Sequence, residues 1–122
     1  MKTTPKKTAL ITGASRGIGK ATAQIFAQTG FNLVLTCQNS IEDMNRLAKM
    51  LQEQYQISCL SFQADMSCEK DVKHIFEHLQ SLDVLVNNAG ISHMGLLTDM
   101  TSEQWHRVMA VNLDSCFYTC RA

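Results

Sequence analysis

Three features that often reveal a protein's class are missing from this sequence. Eleven basic residues balance eleven acidic ones, so neither sign of charge is in excess and a nucleic-acid partner is not expected. No apolar run approaches the ~20 residues needed to span a bilayer, and the run after Lys7 is too short for a secretory signal. We therefore expect a cytoplasmic protein with no membrane contact. The five cysteines are odd in number and match no zinc pattern, so no metal site is expected.

What the sequence does contain is an alternation of strand-like and helix-like segments. Apolar runs of strand type occur at residues 8–11, 32–37, 57–62 and 82–87. Apolar residues at helical spacing follow each run, from 17 onward, over 41–55, over 71–80 and from near 101 to the end. Strands separated by helices predict an α/β fold, namely a Rossmann-like, doubly wound parallel sheet with about four strands and four helices.

The turn between the first strand and the first helix holds three glycines, Gly13, Gly17 and Gly19. Glycine lets backbone approach a ligand closely because no Cβ stands in the way. The N–H groups and the dipole of the following helix attract an anion. The turn therefore predicts a phosphate-bearing ligand, and a dinucleotide is favoured. A P-loop is excluded, because five residues rather than four separate Gly13 from Gly19 and Ala21 lacks the hydroxyl that binds magnesium.

Four strings in order along the chain carry a family resemblance: Thr-Gly-Ala-Ser-Arg-Gly-Ile-Gly at 12–19, Asp65 after the third strand, Asn-Asn-Ala-Gly at 87–90, and Trp105 with Val-Asn-Leu at 111–113. Together they are similar to the classical short-chain dehydrogenase/reductase family, and within it to the beta-ketoacyl-acyl carrier protein reductase type. The resemblance implies an NADP(H)-dependent oxidoreductase that transfers hydride to a carbonyl. It also implies that residues 8–122 are a dinucleotide-binding Rossmann half-domain, the cofactor half of a truncated reductase, after a loose N-terminus at 1–7.

The resemblance assigns thirteen residues to cofactor binding: Gly13, Ser15, Arg16, Gly17, Ile18, Gly19, Thr36, Asp65, Met66, Asn87, Ala89, Gly90 and Ile91. The glycines would admit the pyrophosphate, and Asp65 would accept a hydrogen bond from the adenine amino group. The alternative for Asp65 is a loop or N-cap carboxylate. The Asn-Asn-Ala-Gly string would lie against the adenosine and would also tie strand to strand.

Arg16 bears on the choice between NAD(H) and NADP(H). A site for NAD(H) usually places a carboxylate about 20 residues beyond the glycines to bind the ribose hydroxyls. Here residues 38–40 carry none, and the first acid is Glu42. A carboxylate would repel a 2′-phosphate, whereas the guanidinium of Arg16 suits one. NADP(H) is therefore favoured and NAD(H) is the alternative, since no second basic residue stands at the end of this strand.

By the same resemblance Asn112 is a catalytic residue that holds a water in a proton relay, and its alternative is an ordinary helix amide with satisfied hydrogen bonds. The family passes a proton from a Tyr whose pKa is lowered by a Lys four residues later. At that spacing Tyr55 is followed by Cys59. Tyr118 is followed by Ala122. We therefore expect these 122 residues to bind cofactor without turnover; the alternative function is a non-catalytic nucleotide-binding or interaction module.

The second half of the sequence predicts contacts with other molecules. The fourth strand would present an unpaired apolar edge at 82–86. A stripe of large apolar residues runs along the last helix at Trp105, Met109, Leu113 and Phe117. Core or subunit contact is the expected use of that stripe, so we expect a homo-oligomer. The family resemblance implies that its substrate is a small-molecule carbonyl or an acyl-carrier-bound one. His93, in a loop with no carboxylate partner in view, is expected to face solvent or the substrate rather than to act as a general base.

Overall fold

The computed structural model describes residues 5–122, and its strands form one parallel sheet. The strands are β1 (Thr8–Ile11), β2 (Asn32–Cys37), β3 (Cys59–Gln63) and β4 (Val84–Val86). Their order across the sheet is β3-β2-β1-β4. Each pair of consecutive strands is joined through a helix, and the strand order reverses at β1. This is the Rossmann-like α/β fold that the sequence predicts, and the prediction is confirmed.

The helices are α1 (Gly17–Gln28), α2 (Ile41–Tyr55), α3 (Glu69–Glu77), α4 (Ser102–Met109) and α5 (Ser115–Arg121). A π-helical segment, Ala110–Asp114, joins α4 to α5, so together they form the single last helix of the prediction. A capping box starts α4: the Thr101 hydroxyl accepts from the Gln104 N–H at 3.1 Å, and Gln104 Oε1 accepts from the Thr101 N–H at 2.9 Å. Within residues 5–122, no helix combines the length and the apolar character that a membrane crossing requires.

The sheet is covered on both faces, which is why its strands are continuous apolar runs. Side chains of a strand point alternately to the two faces. Ile11 and Leu35 pack with α1 and α2 on one face, whereas Leu10 and Val34 pack with α3 on the other. All four side chains are buried, so the centre of the sheet is a packed apolar core, and the loops at its carboxyl edge extend from it.

The boundaries of two predicted elements shift by a few residues. The third strand begins at Cys59 rather than 57. Helix α3 begins at Glu69 rather than 71 and ends at Glu77 rather than 80. The earlier start has an electrostatic reason, because Glu69 and Asp71 lie in the first turn, where carboxylates stabilise the N-terminus of a helix. Apolar spacing alone gives no signal for the charged Glu69, which the prediction left outside the helix.

Strand β4 is shorter than predicted, and in the part of the chain that the structure describes it pairs with β1 alone. Its ladder has three residue pairs, from Ala9 with Val84 to Ile11 with Val86. Before the strand, Asp83 holds the start of β1: its Oδ2 accepts from the Thr8 N–H at 2.9 Å, and its own N–H donates to the Thr8 carbonyl at 3.0 Å. The outer side of β4 is therefore the apolar edge that the sequence predicts.

The predicted loose N-terminus at 1–7 lies partly outside the described residues, which begin at 5. Residues 5–7 have no regular secondary structure. The Lys7 carbonyl accepts from the Asn32 N–H at 2.8 Å, and Lys6 Nζ donates to the Gln56 carbonyl at 2.7 Å. These two lysines are thus held against the start of β2 and the end of α2.

Candidate functional site

The glycine turn after β1 depends on close backbone packing. Gly13 and Gly17 have positive φ angles of 64° and 59°, a region that costs other residues about 1–2 kcal/mol. A Cβ built on Gly19 would lie 2.2 Å from the Gly13 carbonyl oxygen, which no side chain tolerates. A Cβ on Gly17 would meet no atom within 4 Å. The absence of a side chain at Gly19 therefore lets the start of α1 pack directly against Gly13, whereas the space beside the Gly17 backbone is open.

That open space faces the N-terminus of α1. Arg16 is the N-cap in an extended conformation, and its side chain makes no capping hydrogen bond. The first turn of α1 contains no acidic residue, although the first N–H groups of a helix have no intrahelical partner. The positive end of the helix dipole is therefore left for an anion to bind.

The loop after β4 is tied to the glycine turn by two side chains that the sequence analysis did not assign to the site. The buried Thr12 hydroxyl accepts from the N–H groups of Asn88 and Ala89, both at 2.9 Å. Asn88 Nδ2 donates to the Gly13 carbonyl at 3.0 Å. The signal was in the sequence, because both residues belong to motif strings and polar side chains at strand ends usually bind neighbouring backbone. The expectation that the Asn-Asn-Ala-Gly string ties strand to strand is met here.

A cavity of about 350 Å³ opens at the carboxyl ends of the four strands, and we call it the main cavity. Its volume is that of a small-molecule site. Eleven of the thirteen predicted cofactor residues line it: Gly13, Ser15, Arg16, Gly17, Ile18, Thr36, Asp65, Met66, Ala89, Gly90 and Ile91. Its walls also include residues that the sequence analysis missed: Cys37, Gln38, Asn39, Ser40, Ala64, Asn88 and Val111. Most of these directly follow β2 or β3, so the rule that ligands bind at the carboxyl edge could have found them.

Thr36 is the most informative residue of the main cavity. It is fully buried, and its Oγ1 has no hydrogen-bond partner among the described residues. Its backbone carbonyl accepts from the Ala14 N–H at 2.9 Å, so the residue is fixed next to the glycine turn. A buried hydroxyl without a partner costs free energy, and such a group at a cavity wall is suited to a polar ligand atom.

The remaining two predicted cofactor residues, Gly19 and Asn87, do not line the main cavity. Gly19 packs against Gly13, as described above. The Asn87 side chain faces α5, where its Oδ1 accepts from the Thr119 hydroxyl at 2.7 Å. In this structure Asn87 holds the last helix against the end of β4.

Asp65 lines the main cavity and is also the loop carboxylate of the alternative prediction. Oδ1 accepts from the Ser67 N–H at 3.0 Å and from the Ser67 hydroxyl at 2.6 Å. Oδ2 pairs with Arg107 Nη1 at 3.3 Å, and the same Nη1 donates to the Ser67 hydroxyl at 2.9 Å. Partial burial raises the pKa of Asp65, but the Ser67 hydrogen bonds and the Arg107 charge outweigh it and lower the pKa below its usual value. Asp65 therefore stays a carboxylate, the form that accepts hydrogen bonds.

Asn112 lies in the π-helical segment, a rare local structure that often occurs at functional sites. Its amide makes a two-bond clamp on Ile91: Oδ1 accepts from the Ile91 N–H, and Nδ2 donates to the Ile91 carbonyl, both at 2.8 Å. The Asn112 side chain is exposed, so the need to satisfy a buried amide does not explain these two hydrogen bonds. The clamp fixes the backbone of the residue that closes one side of the main cavity.

His93 and two buried cysteines are not placed to act as a base or a nucleophile. His93 is exposed and does not line the main cavity. Cys37 does line it, but burial raises the pKa of its thiol, an effect that a hydrogen bond from the Ser40 backbone only partly offsets. Burial also raises the pKa of Cys59 to about 12. Both thiols are therefore protonated at neutral pH and are poor nucleophiles.

The chain is similar to several characterised enzymes. A 3-oxoacyl-(acyl-carrier-protein) reductase of Buchnera aphidicola is 33% identical over 117 residues, which are 96% of this chain and 48% of that protein. A D-beta-hydroxybutyrate dehydrogenase of Cupriavidus necator is 36% identical over 120 residues, which are 94% of this chain and 45% of that protein. The chain thus spans about half the length of the curated relatives it matches.

The fold comparison agrees with the sequence comparison. The crystal structure of L-sorbose reductase from Gluconobacter frateurii, complexed with NADPH and L-sorbose, superposes with a TM-score of 0.90 at 28% identity and covers 95% of this chain and 45% of that one. The family model described as short chain dehydrogenase matches residues 7–122. The family that the motif strings indicate is therefore confirmed, and this chain belongs to the short-chain dehydrogenases.

Proposed function

We propose that the main cavity binds NADP(H) and that the protein is an NADP(H)-dependent carbonyl reductase of the 3-oxoacyl-acyl carrier protein type. The single observation that carries the cofactor assignment is the uncapped N-terminus of α1, which opens beside Gly17 onto the main cavity. A pyrophosphate supplies the anion that such a helix end lacks. The buried, unpartnered Thr36 hydroxyl is a second feature that fits a polar ligand.

Each wall of the main cavity has a role in this proposal. The glycine turn holds the pyrophosphate, Asp65 accepts from the adenine amino group, and Met66 lies beside the ring. Ala89, Gly90 and Ile91 form the side near the ribose. When bound, the nicotinamide supplies hydride chemistry to a substrate carbonyl.

NADP(H) is proposed over NAD(H) because the cavity carries no carboxylate after β2, where one would repel a 2′-phosphate. The NADPH-bound sorbose reductase has the same fold. The similarity to 3-oxoacyl-(acyl-carrier-protein) reductases supports a ketoacyl substrate and a role in fatty acid biosynthesis. The free state of all five cysteines fits a cytoplasmic location.

In the catalytic part of the proposal, Asn112 positions the Ile91 backbone and holds a water in the proton relay. Neither tyrosine of the 122 residues precedes a lysine by four positions. We therefore propose that these residues alone bind cofactor and do not turn over substrate.

A matched pair of glycine substitutions tests the binding site. Gly17→Ala and Gly30→Ala both place a Cβ at positive φ in open space, so both carry backbone strain, but only Gly17 lines the main cavity. Titration with NADPH followed by its fluorescence should show binding to the wild type and to Gly30→Ala, and at least tenfold weaker binding to Gly17→Ala. Equal affinities of the two variants would contradict the proposed site.

The same titration separates the competing functions. Adding a 3-oxoacyl substrate to the NADPH complex should leave NADPH unoxidised, in agreement with binding without turnover. Steady NADPH loss would contradict that part of the proposal. If neither NADPH nor NADH binds, the chain is an interaction module built on the same fold.

We also propose that the chain self-associates through the β4 edge or the last helix. Trp105 on α4, Leu113 on the π-helical segment and Phe117 on α5 are about half exposed, and apolar surface of this kind is typical of interfaces. Light scattering at micromolar concentration should give a mass above that of the 13.6 kDa monomer. A monomeric mass would contradict self-association and would leave the cofactor proposal intact.

A further inference from the structure

A second cavity of about 550 Å³ lies between the N-terminus of α1 and helix α2, and we call it the side cavity. It shares Ser15, Arg16 and Gly17 with the main cavity. The two cavities therefore meet at the rim of the glycine turn. A ligand seated on that turn in the main cavity can place a substituent into the side cavity.

The side cavity is lined by three cations and one carboxylate. Arg16, Lys20 and Arg46 supply the positive charges, and Asp43 supplies the negative one. Glu42, the other acid in the first turn of α2, does not line it. The side cavity thus has a net positive charge, unlike the uncharged end of β2 beside it, and it suits an anion.

The contact between Arg46 and Asp43 is easily exchanged. Arg46 Nη2 pairs with Asp43 Oδ1 one helical turn away, and the two side chains are 73% and 64% exposed. Exposed ion pairs of this kind contribute little to stability. A phosphate dianion offers the guanidinium a second charge and bidentate geometry, so it can displace the carboxylate at small cost.

We propose that Arg46, together with Lys20 and Arg16, binds the 2′-phosphate of NADP(H), and that Asp43 competes with the phosphate for Arg46. The inference rests on the proposed function, because it assumes that the adenosine part of the cofactor lies in the main cavity. It answers the question that the sequence left open. The second basic group that is missing from the end of β2 is supplied from the adjoining helices α1 and α2.

The test measures the affinities of the chain for NADPH and NADH, and for adenosine 2′,5′-bisphosphate and AMP, by fluorescence and calorimetry. Arg46→Gln and Lys20→Gln remove one cation each, and Lys49→Gln is the control, since Lys49 is an exposed cation of α2 outside the side cavity. Loss of a charge-assisted hydrogen bond corresponds to about a tenfold loss of affinity. We expect Arg46→Gln to lose about tenfold for NADPH and for the bisphosphate, with changes below about twofold for NADH and AMP.

Asp43→Asn provides a test in which the affinity for NADPH is expected to rise rather than fall. Removing the competing carboxylate should tighten NADPH and the bisphosphate by about threefold and leave NADH and AMP unchanged. General destabilisation of the fold cannot produce a gain of this kind. Thermal melting of every variant within a few degrees of the wild type confirms that folding is intact.

The outcomes distinguish the inference from the function on which it rests. If the wild type binds neither dinucleotide, the proposed function and this inference both fail. If the wild type prefers NADPH but Arg46→Gln and Lys20→Gln behave like Lys49→Gln, the inference alone is wrong. Equal losses for NADPH and NADH would also overturn it, because the 2′-phosphate is what the two dinucleotides do not share.

Discussion

The region from β1 to β3 and the region after β4 are stabilised by different kinds of contact. In the first region Leu33, Leu35 and Met44 are at most 1% exposed. In the second, Met94 is 92% and Leu97 is 78% exposed, and α4 contains no buried residue. The first region thus folds around its own core, whereas the second lies on the surface of that core.

Polar contacts connect the second region to the first. Thr12 accepts two N–H groups from the loop after β4, and Asn88 Nδ2 in that loop donates to the Gly13 carbonyl. Each hydrogen bond contributes only about 1 kcal/mol net, less than a buried leucine. We therefore expect the glycine-turn end of the main cavity to be rigid, and the end bounded by Ile91 to open locally more readily.

The largest expected effect contrasts the same substitution in the two regions. Leu35→Ala removes a fully buried side chain and should lower the free energy of unfolding by about 3 kcal/mol. Leu113→Ala removes one that is 57% exposed and should cost under about 1 kcal/mol. Urea unfolding followed by circular dichroism measures both. Equal costs would mean that the second region has a core of its own.

Gly19→Ala tests whether the rigid end depends on backbone packing. The new Cβ would lie 2.2 Å from the Gly13 carbonyl oxygen and 2.6 Å from Asn88 Nδ2, so we expect a loss of about 2 kcal/mol in the free energy of unfolding. The double variant Gly19→Ala/Asn88→Ala is the control, measured by the same urea titration. It should not recover stability, because the backbone contact stays. Recovery would mean that the Asn88 side chain, not the backbone, sets the limit.

Two buried threonines of the first region form a matched pair that tests its contact with the second region. Thr12→Val leaves the N–H groups of Asn88 and Ala89 without their acceptor and should cost about 1.5 kcal/mol. Thr36→Val removes a hydroxyl that has no partner and should change stability by less than about 0.5 kcal/mol. Thermal unfolding measures both, and hydrogen exchange at Ala89 should quicken only in Thr12→Val. A large loss in Thr36→Val would show that its hydroxyl has a partner in the folded chain.

The sequence predicted the rigid region well because its signals are local. The apolar run at 32–37 matches β2, and the apolar spacing at 41–55 matches α2. The glycines of the turn were found for the same reason, since a strand, a glycine cluster and a helix follow one another within a few residues. Eleven of the residues that line the main cavity were predicted from those local patterns together with the family resemblance.

The sequence failed where partners are far apart along the chain. The Arg107 contact with Asp65, the Asn87 contact with Thr119 and the Asn112 clamp each join residues that no short pattern relates. Strand β4 was predicted too long because its pairing depends on the length of β1, not on its own apolar run. Long-range polar contacts and ladder lengths belong to the assembled fold, so they require the structure.

The smallest expected effect concerns pH and the Asp65–Arg107 contact that joins the two regions. Because the pKa of Asp65 is lower in the folded chain, ionised Asp65 stabilises the fold above the unfolded-state pKa of about 3.9. That contribution is lost as the pH falls through the folded-state pKa. The side chains are 33% and 43% exposed, so we expect less than about 1 kcal/mol. Urea unfolding at a series of pH values should show the wild type losing its advantage over Asp65→Asn below about pH 4. An advantage that persisted undiminished at pH 2.5 would mean that the carboxylate charge does not hold the contact, and that Ser67 alone ties the loop to α4.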